Sequence, residues 1–247
     1  MLTKAKIKYI KSLQLKKYRQ QEQCFLVEGE KNVIEFLTSD YQVDIVAGVV
    51  EMLQKHSAKL ITSKSKIYEV KEKLLSDIGS FKNNNSLIAV VQIPKAEQKI
   101  EYNTKLNLVL DDIQDPGNMG TIIRIADWYG IENIFASITT TDIFNPKVVN
   151  ATMGSLTRVK VRYTNLEKLL SEYKGEVYGA YLAGNSIHEV NFAEAAMLVI
   201  GNESKGISDS VEKYISKKIT IPRYGGAESL NAAMATAIIC DNISRKS

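Results

Sequence analysis

The stretch that decides the fold is LNLVLDDIQDPGNMGTIIR, which runs from Leu106 to Arg124. Its apolar start, Leu106 to Leu110, predicts a buried strand. Pro116 and Gly117 predict a tight turn, after which a pattern with helical spacing begins. Helix N-termini attract anions, and Arg124, one turn into this helix, carries a guanidinium group suited to phosphate. These residues are compatible with an anion-binding turn, but for this turn taken alone a structural turn with Arg124 in a surface salt bridge is the favoured explanation.

Strands and helices alternate through the rest of this half of the chain. The predicted strands lie at 106–111, 133–137, 158–162, 177–182, 196–201 and 217–221, and the predicted helices lie near 118–129, 165–173, 208–215 and 229–244. Apolar strands that alternate with helices predict a parallel sheet covered on both faces. Ligands in such sheets bind beyond the carboxyl ends of the strands. Three turns rich in small residues fall at those ends, at 112–120, 201–206 and 222–229.

The N-terminal part predicts a smaller α/β unit. We expect strands at 25–27, 45–50 and 87–91, together with a basic helix near 3–18 and helices near 30–38 and 64–76. A polar stretch around 94–104 then separates two apolar strands, which is typical of a linker. The sequence therefore predicts two α/β domains, 1–98 and 104–247.

Charge is distributed unevenly between these two parts. Residues 1–98 hold 16 basic and 11 acidic residues, whereas residues 99–247 hold 16 and 17. The first 20 residues carry seven Lys or Arg and no acid. A basic N-terminal face is typical of proteins that bind nucleic acid or an acidic membrane surface. A solvated lysine-rich helix explains the same composition.

Several classes of protein are not expected from this sequence. No apolar run reaches the ~18 residues of a membrane span, and the N-terminus lacks the apolar core of a signal peptide. Cys24 and Cys240 lie far apart in the chain, which argues against a disulfide framework and favours a reducing, cytoplasmic compartment. His56 and His188 lack metal-ligand spacing, so no metal is expected. The chain also contains no G-x-G-x-x-G and no Walker loop.

The second small-residue turn has the pattern G-x-E-x-x-G, from Gly201 through Glu203 to Gly206. Glycine permits positive φ and a close approach of the backbone. A carboxylate between two glycines could hold an arginine or a ligand amine. A simple loop with Glu203 facing solvent is the alternative.

The third turn follows a strand that meets Pro222 and leads into an alanine-rich helix. Ser229 and Asn231 lie at the start of this helix, where Ser and Asn commonly act as N-caps. Capping is therefore the simplest role for these two residues when the turn is considered alone.

Together and in order, the three turns closely resemble the three motifs of the SpoU (TrmH) family of RNA ribose 2′-O-methyltransferases, over about residues 106–245. The matching positions are Asp115, Pro116, Asn118, Gly120, Arg124 and Ala126, then Gly201, Glu203 and Gly206, then Ile221, Pro222, Ser229, Leu230 and Asn231. The N-terminal part, with FLVEG at 25–29, resembles more loosely the family's substrate-binding extension, which has a ribosomal-protein-like (L30e-like) α/β fold. Arg223 and Tyr224 depart from the family pattern, where many relatives carry an apolar residue.

The resemblance implies a SPOUT-type parallel-sheet domain whose C-terminal segment threads a trefoil knot. It implies S-adenosylmethionine bound in that knot, in contact with Gly201, Ile221 and Leu230. It also implies a homodimer that binds ribosomal or transfer RNA across the pair. The implied catalytic residues are Asn118, Arg124, Glu203, Ser229 and Asn231.

The implied reaction is attack of a ribose 2′-oxygen on the methyl carbon of the cofactor. Because a guanidinium stays protonated in proteins, we expect Arg124 to bind the adjacent phosphate and stabilise the developing alkoxide, while the proton leaves through phosphate or water. Asn118 and Asn231 would fix the ribose or the arginine. Glu203 would orient Arg124 through a bidentate pair, and Ser229 would hydrogen-bond in the same cluster.

Two other functions are compatible with these features. A non-catalytic RNA-binding protein could use the same fold, although the complete set of five polar residues argues against it. A phosphate-ester enzyme could use the helix N-termini, but the sequence offers neither a metal cluster nor a nucleophile–base pair.

Overall fold

The computed structural model describes residues 2–81, 84–95 and 105–246, with residue 246 described by its backbone alone. These residues form two compact units. Unit 1 comprises Met1–Gln98 and Asp142–Thr157, and unit 2 comprises Lys99–Thr141 and Arg158–Ser247. Most of the predicted linker at 94–104 lies outside the described residues.

Unit 1 is built on a four-stranded mixed sheet with the order β1-β4-β2-β3. Strand β4 is antiparallel to β1 and β2, and β3 is parallel to β2. Its elements are α1 (Lys4–Ser12), α2 (Lys16–Glu22), β1 (Cys24–Glu28), α3 (Glu30–Leu37), β2 (Val43–Gly48), α4 (Val50–Lys55), α5 (Ser57–Thr62), β3 (Lys66–Glu69), α6 (Glu72–Ile78) and β4 (Leu87–Gln92). Leu26 of β1 and Ile88 and Val90 of β4 pack with Ile10 and Leu13 in one apolar core.

The basic helix predicted at 3–18 is two helices, α1 and α2, with a break between them. The buried side chain of Arg19 donates hydrogen bonds to the carbonyls of Leu13 and Gln14, at 3.0 and 2.8 Å. The last carbonyls of a helix lack partners within the helix. Arg19 satisfies two carbonyls at the break, which stabilises an interruption that helical periodicity does not predict.

The helix predicted at 64–76 was wrong in its first half. Residues 66–69 form β3, the edge strand that pairs in parallel with β2, and the helix α6 begins only at Glu72. Strand pairing with a neighbour distant in the sequence overrides the local pattern here.

The segment 142–157 groups with unit 1, although the sequence placed it inside the second predicted domain. It contains α8 (Pro146–Thr152) and a short 3-10 turn (Ser155–Thr157). Asp142 accepts a 2.6 Å ion-paired hydrogen bond from Arg19, and Phe144 stacks on Phe25 at 4.7 Å between ring centroids. A buried ion pair and an aromatic contact thus join this segment to unit 1.

Unit 2 is built on a six-stranded, entirely parallel sheet with the order β10-β8-β9-β5-β6-β7. Its elements are β5 (Leu106–Leu110), α7 (Pro116–Trp128), β6 (Asn133–Ala136), β7 (Lys160–Tyr163), α9 (Leu166–Glu172), β8 (Glu176–Ser186), β9 (Ala196–Ile200), α10 (Asp209–Glu212), β10 (Lys217–Thr220) and α11 (Ala232–Lys246). The predicted parallel sheet is confirmed, and β5 and β9 at its centre are buried along their whole length.

The strand order of unit 2 positions the three small-residue turns. Because all strands run in the same direction, the carboxyl ends of β5, β9 and β10 lie at one edge of the sheet.

In the part of the chain that is described, no helix is long and apolar enough to cross a membrane.

Candidate active site

Three loops meet at this edge: loop A (111–115), loop B (201–208) and loop C (221–231), which follow β5, β9 and β10. Loop A leads into α7 through Asp115, whose side chain accepts a 2.8 Å hydrogen bond from the Asn118 backbone N–H. Pro116 occupies the first turn of the helix, where the absence of an N–H costs nothing. The strand–turn–helix predicted from the sequence is therefore confirmed.

Loops A and B are joined by buried and half-buried polar contacts. The buried carboxylate of Asp111 accepts hydrogen bonds from the backbone N–H and the hydroxyl of Ser208, at 2.8 and 2.7 Å. Asn202 donates from Nδ2 to the carbonyl of Asp112 at 2.8 Å. Asp112 itself has a left-handed φ of 61°, a conformation that Asp tolerates better than most residues.

The glycines of loop B are required by the geometry of the turn. A Cβ on Gly201 would lie 2.3 Å from the carbonyl carbon of Gly206 and 2.3 Å from the nitrogen of Ile207. Gly206 has a φ of +73°, which only glycine adopts at low cost. The loop closes on itself through two hydrogen bonds between Asn202 and Gly206.

Asn118 lies in the first turn of α7, directly after loop A, and its side-chain amide links loops B and C. Its Nδ2 donates to Oε1 of Glu203 in loop B at 2.8 Å, and its Oδ1 accepts from Nδ2 of Asn231 in loop C at 2.7 Å. Both interactions need an amide at position 118, because only an amide donates and accepts on one planar group. Three residues of the predicted cluster thus form one hydrogen-bonded chain.

Asn231 also caps α11, as the simpler interpretation of loop C predicted. Its Oδ1 accepts from the backbone N–H groups of Ala233 and Met234, at 3.0 and 3.2 Å. The amide therefore stabilises the helix with its oxygen and binds Asn118 with its nitrogen. Capping and membership of the cluster turn out to be compatible.

Glu203 does not hold Arg124, contrary to the expectation of a bidentate pair. Its carboxylate instead accepts from Asn118 and, at 3.4 Å, from the backbone N–H groups of Gln114 and Asp115. Six residues of α-helix turn Arg124 by roughly 120° from Asn118 and carry it about 9 Å further along α7. The side chain of Arg124 is exposed and forms no ion pair or hydrogen bond with any described residue.

Ser229 is not part of the hydrogen-bonded chain that was expected. It is exposed in loop C and makes no hydrogen bond with the residues that the structure describes. Asn231, two residues later, supplies the contact of this loop to Asn118.

The expected cofactor residues lie at the ends of two strands and before α11. Gly201 follows β9 and Ile221 follows β10, and both are partly exposed, whereas Leu230 is half exposed ahead of Asn231. In the sheet β8 lies between β9 and β10.

Strand β8 contributes a feature that the sequence did not indicate. Its pairing with β9 ends at the Gly179–Val199 pair, yet β8 continues to Ser186. Residues 182–185 are exposed, and Leu182 keeps 75% of its surface accessible. The strand therefore extends past the end of its pairing with β9, and its far end pairs with β10. Only the unusual length of the strand could have hinted at this.

Tyr181 of β8 is neutral at physiological pH. Burial raises the pKa of Tyr181 to about 12, with further contributions from the carboxylates of Glu212 and Asp111. Its buried hydroxyl has no hydrogen-bond partner among the described residues.

Trp128 is exposed, with 84% of its surface accessible. It lies one helical turn after Arg124, so the two side chains project from the same side of α7. Helix α11, which packs against α7, exposes Met234 by 57%. Unit 2 thus carries an apolar surface beside Arg124.

Comparison with known proteins matches this geometry to a family of methyltransferases. Residues 105–241 match the SpoU rRNA Methylase family, and residues 4–89 match the MRM3-like substrate binding domain. The chain is 34% identical over 242 residues to the Bacillus subtilis 23S rRNA (guanosine(2553)-2′-O)-methyltransferase RlmP, a match that covers 95% of this chain and 94% of that protein.

Solved structures have the same fold over the whole chain. A TrmH-family structure from Porphyromonas gingivalis is 38% identical, has a TM-score of 0.86, and covers 100% of both chains. An AdoMet-bound rRNA methyltransferase from Sinorhizobium meliloti is 29% identical, with a TM-score of 0.88 over 99% of this chain and 96% of that one.

These likenesses define the class to which the chain belongs, the S-adenosylmethionine-dependent RNA methyltransferases. Within that class, the chain is a member of the SpoU rRNA methylase family and carries an MRM3-like substrate-binding domain at its N-terminus. The resemblance of the three motifs is confirmed.

Proposed function

We propose that this protein methylates a ribose 2′-hydroxyl of ribosomal RNA, with 23S rRNA as the first candidate substrate. The observation that carries the proposal is the chain Glu203–Asn118–Asn231, which joins three loops far apart in sequence at one edge of a parallel sheet. The 34% identity to an enzyme that acts on 23S rRNA supports the choice of RNA. Transfer RNA is the alternative substrate.

The proposed cofactor site lies between loop B, loop C and the extended end of β8. Gly201 lies in loop B, whereas Ile221 and Leu230 lie in loop C, so these three residues would border the ligand. S-adenosylmethionine would supply an activated methyl group here. A loop C that threads a trefoil knot is consistent with the parallel β8–β10 pair.

We propose that the side chain of Arg124 contacts the RNA substrate and not the other residues of the site. An exposed guanidinium with no partner among the described residues keeps its donors available for an RNA phosphate, which it can bind in a bidentate manner. In that position its positive charge would stabilise the alkoxide as the O–C bond forms and the C–S bond breaks. The hydroxyl proton would leave through the phosphate or water.

Asn118, Glu203 and Asn231 are proposed to hold the three loops in register, so that the cofactor and the ribose meet at the correct distance and angle. Ser229, exposed in loop C with no hydrogen-bond partner among the described residues, remains available to hydrogen-bond the substrate.

A homodimer is proposed, with α7 and α11 at the interface. Trp128 and Met234 form an exposed apolar surface that a second copy would cover. Trp128→Glu should produce a monomer in analytical ultracentrifugation, and Leu182→Glu, at another exposed apolar position, serves as the control.

We also propose that the protein is cytoplasmic, in keeping with its two unpaired thiols.

Methyl transfer from labelled S-adenosylmethionine to a 23S rRNA transcript tests the activity directly. Arg124→Ala should lose most turnover while calorimetry shows unchanged cofactor binding. Arg124→Lys should not restore activity, because lysine lacks the planar fork of donors. Near-complete activity of Arg124→Ala would remove this residue from the mechanism. A wild-type protein that binds RNA but not S-adenosylmethionine would instead favour the non-catalytic alternative.

A further inference from the structure

Unit 1 contains a basic cavity that belongs to none of the three loops described above. Its volume is about 770 Å³, which lies within the roughly 300–1,000 Å³ range of small-ligand sites. It opens beside α1, the start of β2, the end of α5 and the edge strand β3. Its principal lining residues are Lys6, Tyr9, Tyr41, Thr62, Lys64 and Lys66.

Three ammonium groups face this cavity without carboxylate partners. Lys6, Lys64 and Lys66 form no ion pair with any described residue, and the Lys6 ammonium donates instead to the hydroxyl of Tyr68. Asp44 is the one acidic residue of the lining, and its oxygens accept from the side-chain amides of Gln42 and Gln92. The cavity therefore keeps an excess of positive charge.

Two tyrosines give the cavity aromatic walls without adding negative charge. Burial raises the pKa of Tyr41 to about 12, and burial, followed by contact with Cys24, also raises the pKa of Tyr9. Both phenols stay neutral at physiological pH. Neutral aromatic rings beside free ammonium groups are typical of sites for single-stranded nucleic acid, where bases stack and phosphates pair with lysine.

Lys64 occupies a backbone position that favours glycine. It follows the C-terminal end of α5 and has a left-handed φ of 56°, whereas helices that end in this way usually carry Gly or Asn there. Lysine therefore carries a conformational cost at this position, where its ammonium group lines the cavity.

The basic surface continues from the cavity along α1. Lys4, Lys8 and Lys11 of this helix are exposed, and no acidic residue occurs among the first 20 residues. A strand of RNA that leaves the cavity along α1 would meet these three exposed ammonium groups.

We propose that the cavity lined by Lys6, Lys64 and Lys66 binds one nucleotide of a single-stranded segment of the RNA substrate, with its phosphate on the lysines and its base against Tyr9 or Tyr41. The site would fix the position of the RNA on unit 1. This inference rests on the proposed function, because it assigns part of the recognition of that same RNA.

The test compares two double variants of the full chain that change charge equally. Lys64→Glu/Lys66→Glu alters the cavity, and Lys71→Glu/Lys73→Glu alters two exposed lysines of unit 1 outside it. The probes are a 23S rRNA transcript and a uridine decamer, titrated at several salt concentrations. We expect the cavity variant to bind at least tenfold more weakly, with a salt slope lower by about 0.7, the contribution of one phosphate contact to a single strand. The control should bind as the wild type does.

A single substitution distinguishes an effect on RNA binding from an effect on the stability of the fold. Lys64→Gly should keep or raise the melting temperature, because glycine adopts positive φ freely, and should still weaken binding of the decamer. A 4-thiouridine decamer should crosslink to peptides that contain Tyr9, Tyr41 or residues 62–66. Equal affinities for the two double variants, or crosslinks confined to other peptides, would overturn the inference.

Methyl transfer and RNA binding, measured separately, distinguish an error in the proposed function from an error in this inference. If the wild-type protein transfers no methyl group to RNA, the proposed activity is wrong. Binding and crosslinking of the decamer would still show whether the cavity binds RNA. If methyl transfer occurs and the cavity variant keeps the KM and kcat of the control, the cavity has no part in recognition.

Discussion

Asn118 and Glu203 lie 85 residues apart in the chain, and their side chains are joined by a 2.8 Å hydrogen bond. The bond runs from the amide nitrogen to a carboxylate oxygen, so it is charge-assisted and stronger than a bond between neutral groups. It connects the first turn of α7 to loop B. These two segments follow β5 and β9, the strands at the centre of the sheet.

Replacing the donor of this bond with an acceptor should be more harmful than removing it. Asn118→Asp sets two carboxylates at hydrogen-bond distance, so we expect it to reduce methyl transfer more than Asn118→Ala and to lower the free energy of unfolding by about 1–3 kcal/mol. The second substitution Glu203→Gln should restore part of both losses, since the new amide can donate to the carboxylate introduced at position 118. Urea denaturation and single-turnover kinetics measure the two effects. Additive losses in the double variant would contradict the role of this pair.

The turn of loop B should not accept a methyl group at Gly201. The added carbon would lie 2.3 Å from backbone atoms, which cannot move as a flexible side chain can. Gly201→Ala should cost about 1–3 kcal/mol and displace the loop, with loss of S-adenosylmethionine binding in calorimetry. Gly226→Ala, where nothing lies within 4 Å of the new carbon, is the matched control. Unchanged cofactor binding by Gly201→Ala would place the ligand elsewhere.

The ion pair between Arg19 and Asp142 should stabilise unit 1. Arg19 is 3% exposed, so Asp142→Ala leaves a buried guanidinium without its partner, which costs about 3–5 kcal/mol. Arg245, paired with Asp241 on the surface, is the control, and Arg245→Ala should change the free energy of unfolding by less than about 1 kcal/mol. Chemical denaturation compares the two. Similar small effects would mean that segment 142–157 is held mainly by apolar contacts such as Phe144 on Phe25.

Both cysteines should be unreactive in the folded protein. Burial raises the pKa of Cys240 to about 12 and also raises the pKa of Cys24, so little thiolate is present at pH 8. Iodoacetamide at pH 8 should modify both thiols only after unfolding, as mass spectrometry would report. Because the unfolded thiol of Cys240 ionises near its ordinary value of 9.0 and the folded one does not, the free energy of unfolding should fall as pH rises from about 9 towards 12. Rapid native alkylation of Cys240 would contradict its burial.

Local patterns in the sequence determined the parallel sheet, the three loops and the strand–turn–helix around Asp115. These features depend on neighbours in the chain: apolar runs, helical spacing, and the backbone preferences of Pro and Gly. The motif resemblance added the family and the membership of Asn118, Glu203 and Asn231 in one site.

Only the tertiary structure decided which of these groups touch. Glu203 binds Asn118 and not Arg124, because the helical repeat turns the arginine to another side of α7. Residues 142–157 join unit 1 through Arg19 and Phe25, and residues 66–69 form a strand because β2 lies beside them. Such outcomes depend on contacts between residues distant in the chain, whose geometry no local pattern contains.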